Sequence, residues 1–237
     1  MPFALFVIAQ TAPSGKPGLL TYFLQSNLAG QVIIFALALF SLGAWTIMFG
    51  KFFELRRLRE LNRAFAISIA PEPSLLNLPE RFKHMRTVPY ADLLGEALEA
   101  YSRAAQYRAG QGGGSHRAEL EHAENALQRG VARLTLHYES SMVMLASIIS
   151  GAPFFGLLGT VWGVMDSFGA IGLQATATIQ TLAPGVSGAL LTTVAGLLVA
   201  IPSLFGYNLL VVRTRLMITE LENFASQLAD RLELEVS

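Results

Sequence analysis

Long stretches without charged residues constrain the fold of this 237-residue chain more than any other feature. Charged residues make up 14% of the sequence, whereas a typical soluble domain has about 25%. About 20 consecutive apolar residues are enough for a helix to cross the hydrocarbon core of a bilayer. The sequence therefore predicts an all-α membrane protein with three transmembrane helices.

The positions of the apolar stretches set the predicted spans. A run of basic residues that begins at Lys51 ends the first span, and Asp166 lies near the end of the second. Pro153, Pro184 and Pro202 fall within the second and third spans, where neighbouring helices can satisfy the backbone groups that a proline frees. The predicted spans are residues 28–50, 136–168 and 182–212.

The distribution of Lys and Arg predicts the orientation of the chain. Of these 17 residues, 13 lie in 51–135 and three in 213–237, whereas the loop at 169–181 has none. Lys and Arg are in excess on the cytoplasmic side of membrane proteins. We therefore expect 51–135 and the C-terminal helix at 213–237 to be cytoplasmic, and the 169–181 loop and an interfacial N-terminal arm at 1–27 to be periplasmic.

The two predicted cytoplasmic segments contain amphipathic helices. Apolar residues recur at helical spacing, which predicts that spans two and three continue into a cytoplasmic helical bundle. The same spacing fits packing within one chain and packing between subunits, and both interpretations stay open. The apolar residues are Leu120, Leu127 and Leu134 in the first segment and Leu221, Ala225, Leu228 and Leu232 in the second.

Small residues form one narrow stripe on each of the last two spans. The successive spacings of 4, 4, 3 and 4 residues place each set on one side of its helix. Small residues on membrane helices usually permit close helix packing, but two matched stripes with a central Thr also favour a surface that accepts another helix or lines a polar path. The stripes consist of Ala152, Gly156, Thr160, Gly163 and Ser167, and of Gly185, Ala189, Thr193, Gly196 and Ala200 with Thr192 beside them.

Neither stripe contains an acidic or basic residue. A Thr hydroxyl can hydrogen-bond to a carboxylate or to water, but it does not exchange protons near neutral pH. The nearest acids are Asp166 and Glu139, at opposite ends of the second span, and both fit ordinary helix-end positions as well as auxiliary roles. If the chain moves protons, we expect a partner to supply the carboxylate within the membrane.

Other classes of function lack support in the sequence. The net charge is zero, which gives no overall basic field for nucleic acid. The chain has no cysteine, no recognisable catalytic triad and no phosphate-binding loop. We expect no enzyme activity, no cofactor and no metal.

Three motifs are similar to those of a known family. The chain has APFFGLLGTVWGVM at 152–165, APG at 183–185 and ALLTTVAGLLVAIP at 189–202. These segments resemble the TolQ/ExbB/MotA proton-channel family, and the three predicted spans are closest to its TolQ/ExbB-type subunits.

The resemblance implies a motor of the bacterial inner membrane that uses the proton-motive force. It implies a pentamer around two copies of a one-span, TolR/ExbD-like partner, whose Asp carries the proton. Thr160 and Thr193 match the polar pore residues of the family, with Ser167 and Thr192 nearby, and the small residues of the stripes would let the central helices approach. A structural scaffold and a self-sufficient channel are the alternatives from the residues alone.

One position departs from the family pattern. TolQ/ExbB sequences usually have Glu shortly after the APG motif, and this chain has Gly188 there. Gly188 lies about 7.5 Å along the helix from Thr193, and Asp166 about 9 Å from Thr160. If the two Thr residues lie at one depth, Asp166 would restore a carboxylate near the level of position 188.

Overall fold

A computed structural model describes residues 18–79, 82, 87–111, 116–172 and 178–236, and it contains no strand in these ranges. Three helical stretches, Leu28–Ile69, His116–Ala170 and Leu182–Val236, are long and apolar enough to cross a membrane. The predicted all-α membrane fold is confirmed. The helices are α1 Leu19–Gln25, α2 Leu28–Ile69, α3 Pro89–Gln111, α4 His116–Glu139, α5 Met142–Gly172 and α6 Ile179–Val236.

Helix boundaries differ from the predicted spans in three places. Helix α2 continues past residue 50 to Ile69, because its second half is amphipathic and buries Leu55, Phe65 and Ile69. The predicted second span is interrupted at residues 140–141, where the Ser140 backbone N–H and hydroxyl both donate to the His137 carbonyl (3.4 and 2.9 Å).

The predicted loop at 169–181 is shorter in the structure. Helix α5 ends at Gly172, and α6 begins at Ile179 and runs without a break through both of its prolines. Residues 173–177 of this loop and 1–17 of the predicted N-terminal arm lie outside the described residues.

The chain divides into two compact units. The first comprises the described residues up to Met48 together with Val143–Tyr207. In it the Phe40 ring packs edge-on against Phe155 with centroids 5.3 Å apart, and Ala44 is fully buried. Large apolar side chains point outward from this unit; Phe154 and Phe205 are 70% and 73% exposed. An apolar exterior of this kind is what a lipid environment requires.

The second unit comprises Phe49–Met142 and the chain from Asn208 onward. The Tyr90 ring stacks on Phe224 at 3.9 Å, and Arg133 joins α4 to α3 through Asp92 and Glu96 at 2.7 and 2.8 Å. The apolar repeats predicted from the sequence face this core, where Leu120 and Ala225 are half-buried and the others buried: Leu127, Leu134, Leu221, Leu228 and Leu232. Packing within one chain therefore accounts for the buried repeat positions.

Two charged residues near the C-terminal end of α6 bind the turn that follows α2. Arg231 donates to the Glu72 carbonyl at 2.8 Å. The Glu235 carboxylate accepts from the Leu75 backbone N–H at 2.6 Å and from the Ser74 hydroxyl at 3.0 Å. These side chains replace the partners that the turn's backbone groups lack.

Candidate functional site

The two small-residue stripes pack against each other within one chain. A Cβ on Gly196 would lie 2.6 Å from the Ala152 carbonyl oxygen, and one on Gly156 would lie 2.9 Å from the Thr192 carbonyl oxygen. Real Cβ atoms do not approach backbone oxygens this closely, so only glycine fits at both positions. Helices α5 and α6 are therefore in backbone contact, as small residues on membrane helices allow.

Three Thr hydroxyls meet at this contact. Thr160 on α5 hydrogen-bonds to Thr193 on α6, and its hydroxyl lies 3.5 Å from that of Thr192. The same hydroxyls lie within hydrogen-bonding distance of the carbonyl oxygens of Gly156 (2.9–3.2 Å) and, for Thr160 and Thr192, of Ala189 (3.2 and 2.6 Å). We call Thr160, Thr192 and Thr193 the threonine cluster.

Burial separates the members of the threonine cluster. Thr192 is completely buried, whereas Thr160 and Thr193 are half-buried. Thr192 was predicted to lie near the polar pore residues, and in the structure it lies inside the helix pair. The hydroxyls of Thr160 and Thr193 are the ones with access to the surface of the pair.

The other predicted stripe residues take packing positions. The Ser167 hydroxyl donates to the Gly163 carbonyl of its own helix at 2.7 Å and lies against Gly185. A Cβ on Gly163 would lie 2.7 Å from that of Ala189. Ala152 is fully buried and Ala200 is 7% exposed.

Asp166 lies on the exposed side of α5 and has a partner that sequence reasoning missed. The Asn27 side-chain amide, 139 residues away in the chain, donates to its carboxylate. An Asn directly before an apolar helix is a typical N-cap, which is the only local signal at Asn27. No sequence pattern links it to Asp166.

Gly188 is buried beneath the residue that precedes Asn27. A Cβ at Gly188 would lie 2.9 Å from the Ser26 Cα, so any larger side chain would displace this segment. Ser26 and Asn27 therefore contact position 188 and Asp166 respectively. The hydroxyls of Thr160 and Thr193 are hydrogen-bonded to each other, so these two side chains lie at the same level of the helix pair.

Glu139 lies in the second unit at the end of α4 and is exposed. The neighbouring His137 lies 3.4 Å from Glu54, which also pairs with Lys51 at 3.2 Å. Lys51 is only 3% exposed, although the sequence indicated no more than the end of a span there.

The chemistry of the site follows from its groups. Hydroxyls can donate to a carboxylate or to water, and backbone carbonyls can accept from water, but none of these groups titrates near neutral pH. Between Glu139 and Arg213 the only acidic or basic residue is Asp166. The arrangement is suited to a polar surface beside an acid supplied from elsewhere, and it provides no nucleophile with an adjacent base.

Residues 92–223, more than half of the chain, match the MotA/TolQ/ExbB proton channel family. The chain is 33% identical over 184 residues to the biopolymer transport protein ExbB of Pseudomonas putida, a match that covers 78% of this chain and 54% of that protein. This chain thus spans about half the length of that relative.

Two further relatives match over most of their length. The Tol-Pal system protein TolQ of Pseudomonas aeruginosa is 27% identical over 208 residues, which cover 86% of this chain and 87% of that protein. The biopolymer transport protein ExbB of Neisseria meningitidis serogroup A is 31% identical over 198 residues, with 82% and 87% covered. This chain belongs to the MotA/TolQ/ExbB proton channel family.

Proposed function

We propose that this chain is the stator subunit of an inner-membrane complex driven by the proton-motive force. In this proposal, copies of the chain surround a one-span partner whose Asp takes up and releases the proton. The complex would perform work in the periplasm, at the outer membrane or at the cell surface. The chain itself would need no catalytic residue and no cofactor.

One observation carries the proposal: the threonine cluster offers hydroxyls at a contact between α5 and α6 where neither small-residue stripe contains a titratable group. Thr160 and Thr193 are half-buried, which leaves them able to exchange a hydrogen bond with a carboxylate or water beside the pair. A carboxylate buried in the membrane is costly unless hydrogen bonds stabilise it. Two hydroxyls at one depth would supply those hydrogen bonds.

The charge distribution supports a proposed topology. Thirteen of the 17 Lys and Arg residues lie in 51–135, which favours a cytoplasmic location for that segment and for the C-terminus. The N-terminal arm and the predicted 169–181 loop would then lie in the periplasm. Asp166 would lie near the periplasmic end of α5 and Glu139 near the cytoplasmic end.

Proton flux in liposomes tests the proposal. The chain is reconstituted with its one-span partner, a pH gradient is imposed, and uptake is followed with a pH-sensitive dye. We expect flux from the wild-type complex and loss of flux in Thr160→Val and Thr193→Val. Thr46→Val is the matched control, because the Thr46 hydroxyl is exposed and donates to the Leu42 carbonyl of its own helix (2.8 Å).

A structural scaffold is the second candidate, and one observation favours it. The stripes face each other within one chain, and each hydroxyl of the threonine cluster already has a partner there. A scaffold predicts that Thr160→Val loses stability and activity together. Flux from liposomes that contain this chain alone would instead indicate a self-sufficient channel.

A further inference from the structure

The Asn27 side chain makes two hydrogen bonds, one as acceptor and one as donor. Its Oδ1 accepts from the Gly30 backbone N–H at 2.8 Å, which caps the N-terminus of α2. Its Nδ2 donates to the Asp166 carboxylate on α5. The Asn amide has its acceptor and its donor on separate atoms of one short side chain, so this residue joins the start of one helix to an acid on another.

The backbone around Asn27 is held in place. Ser26 is 7% exposed and packs on Gly188. The Gln31 side chain donates to the carbonyls of Phe23 (3.4 Å) and Ser26 (3.2 Å). The Asn27 amide is thus fixed before it meets Asp166, and little of the free energy of that hydrogen bond is lost in ordering the donor.

Among the described residues of its own unit, Asp166 has no cation to pair with. Residues 18–48, 143–172 and 178–207 include no Lys, Arg or His, and Asp166 is the only charged side chain among them. The Asn27 amide is therefore the fixed donor that the structure provides for this carboxylate. An exposed acid without such a donor would sample several rotamers.

We infer that Asn27 is a positioning residue that holds the Asp166 carboxylate where it accepts protons from the outer aqueous phase. The carboxylate takes a proton from water outside and releases it to water beside Thr160 and Thr193, from which the partner's acid takes it. This inference rests on the proposed function. In this inference the N-terminus of α2, which Asn27 caps, also takes part in proton uptake.

An exchange of the two side chains tests this role. Asn27→Asp keeps a good helix cap but removes the amide donor and places two carboxylates in contact. Asp166→Asn removes the carboxylate. In Asn27→Asp/Asp166→Asn the carboxylate and the amide return with their positions exchanged, so that a hydrogen-bonded pair exists again.

The readout is proton flux in liposomes that contain the chain and its one-span partner. A hydrogen bond to a charged group corresponds to roughly a tenfold effect, and we expect each single variant to lose flux by about that factor. The exchanged pair should recover at least a few-fold over Asp166→Asn, since residues that act as a unit are not additive. Thr46→Val should match the wild type.

The outcomes separate this inference from the proposed function. If the flux losses of the two single variants multiply in the exchanged pair, or if Asn27→Asp keeps wild-type flux, the proposed role of Asn27 is overturned. The proposed role of the threonine cluster is not affected by either result. Absence of flux from the wild-type complex would overturn both. Because a cap is retained in every variant, only Asn27→Asp, with its two carboxylates in contact, is expected to lower the melting temperature. A flux that follows the melting temperature across all three variants would show that Asn27 has only a structural role.

Discussion

The hydroxyl groups of Thr160 and Thr193 lie on different helices and hydrogen-bond to each other. Their helices touch through Gly156 and Gly196, which lie one turn away on the same faces. The backbone contact therefore fixes the depth of both hydroxyls. Close packing and a paired polar site are two consequences of one arrangement.

The residues of the threonine cluster should differ in how much each contributes to stability and to proton conduction. Thr192→Val removes a fully buried hydroxyl that lies 2.6 Å from the Ala189 carbonyl, and we expect it to cost about 1 kcal/mol of stability. Thr160→Val and Thr193→Val should cost less, because water reaches these half-buried positions, and yet lose more proton flux. Thermal unfolding in detergent measures the loss of stability, and liposome flux measures the loss of conduction. If the three variants fall in the same order in both assays, the proposed difference between Thr192 and the other two residues is contradicted.

Glycine at the helix contact should be irreplaceable. A Cβ on Gly196 would meet the Ala152 backbone oxygen at 2.6 Å, so Gly196→Ala should destabilise the helix pair by about 1–3 kcal/mol. A Cβ on Gly151 of α5 would meet no atom of another helix within 4 Å, and Gly151→Ala serves as the control. Melting temperatures in detergent compare the two, and an equal fall for both would argue against backbone contact at Gly196.

The hydrogen bonds that Glu235 accepts from the turn after α2 should protect the backbone of that turn from amide exchange. Its carboxylate accepts from the Leu75 N–H and the Ser74 hydroxyl, and Glu235→Ala leaves those donors unpaired. We expect faster amide exchange in residues 72–78, measured by hydrogen–deuterium exchange, with little change in α3. Asp230→Ala, at an exposed position more than one helical turn away, is the control, and unchanged exchange in Glu235→Ala would show that the turn does not depend on this contact.

Tyr90 should make the second unit sensitive to alkaline pH. Burial raises the pKa of the Tyr90 phenol, and the nearby Glu220 carboxylate raises it further. Because the pKa is higher in the folded state than the ordinary value of about 10, the neutral phenol stabilises the fold fully below pH 10. That contribution is lost as the pH rises through the folded-state pKa.

We therefore expect the melting temperature to fall less steeply above pH 10 in Tyr90→Phe, which cannot ionise, than in the wild type. At neutral pH the variant loses the hydrogen bond from the Tyr90 hydroxyl to the Glu220 carbonyl (3.0 Å), worth about 1 kcal/mol. Tyr107→Phe, at a position 70% exposed, is the control. Identical pH profiles for Tyr90→Phe and the wild type would refute the assignment.

Sequence patterns identified the helices and the facing stripes because both depend on local spacing. The intervals that join Gly156 to Thr160 and Thr193 to Gly196 recur on one side of each helix, so their meeting follows once two such helices pack. The extension of α2 to Ile69 was missed because the basic residues after Lys51 also mark the end of a membrane span. The buried Leu55 and Phe65 show that the same segment has an apolar face.

Contacts between distant parts of the chain could not be predicted in the same way. Thr192 lies one residue off the stripe, and only the crossing of α5 and α6 brings its hydroxyl to the Gly156 carbonyl (2.9 Å). The pairing of Asn27 with Asp166 depends on how the start of α2 packs on the helix pair. Gly188 is explained by the same packing, since Ser26 occupies the space that a side chain would need.

The most direct test of the proposed function is proton flux through liposomes that contain this chain and its one-span partner, compared for the wild type, Thr160→Val, Thr193→Val and Thr46→Val in assembled complexes of equal stability. A polar path at Thr160 and Thr193 predicts flux from the wild type and Thr46→Val and little or none from the other two variants. Wild-type flux from assembled Thr160→Val and Thr193→Val complexes would contradict it.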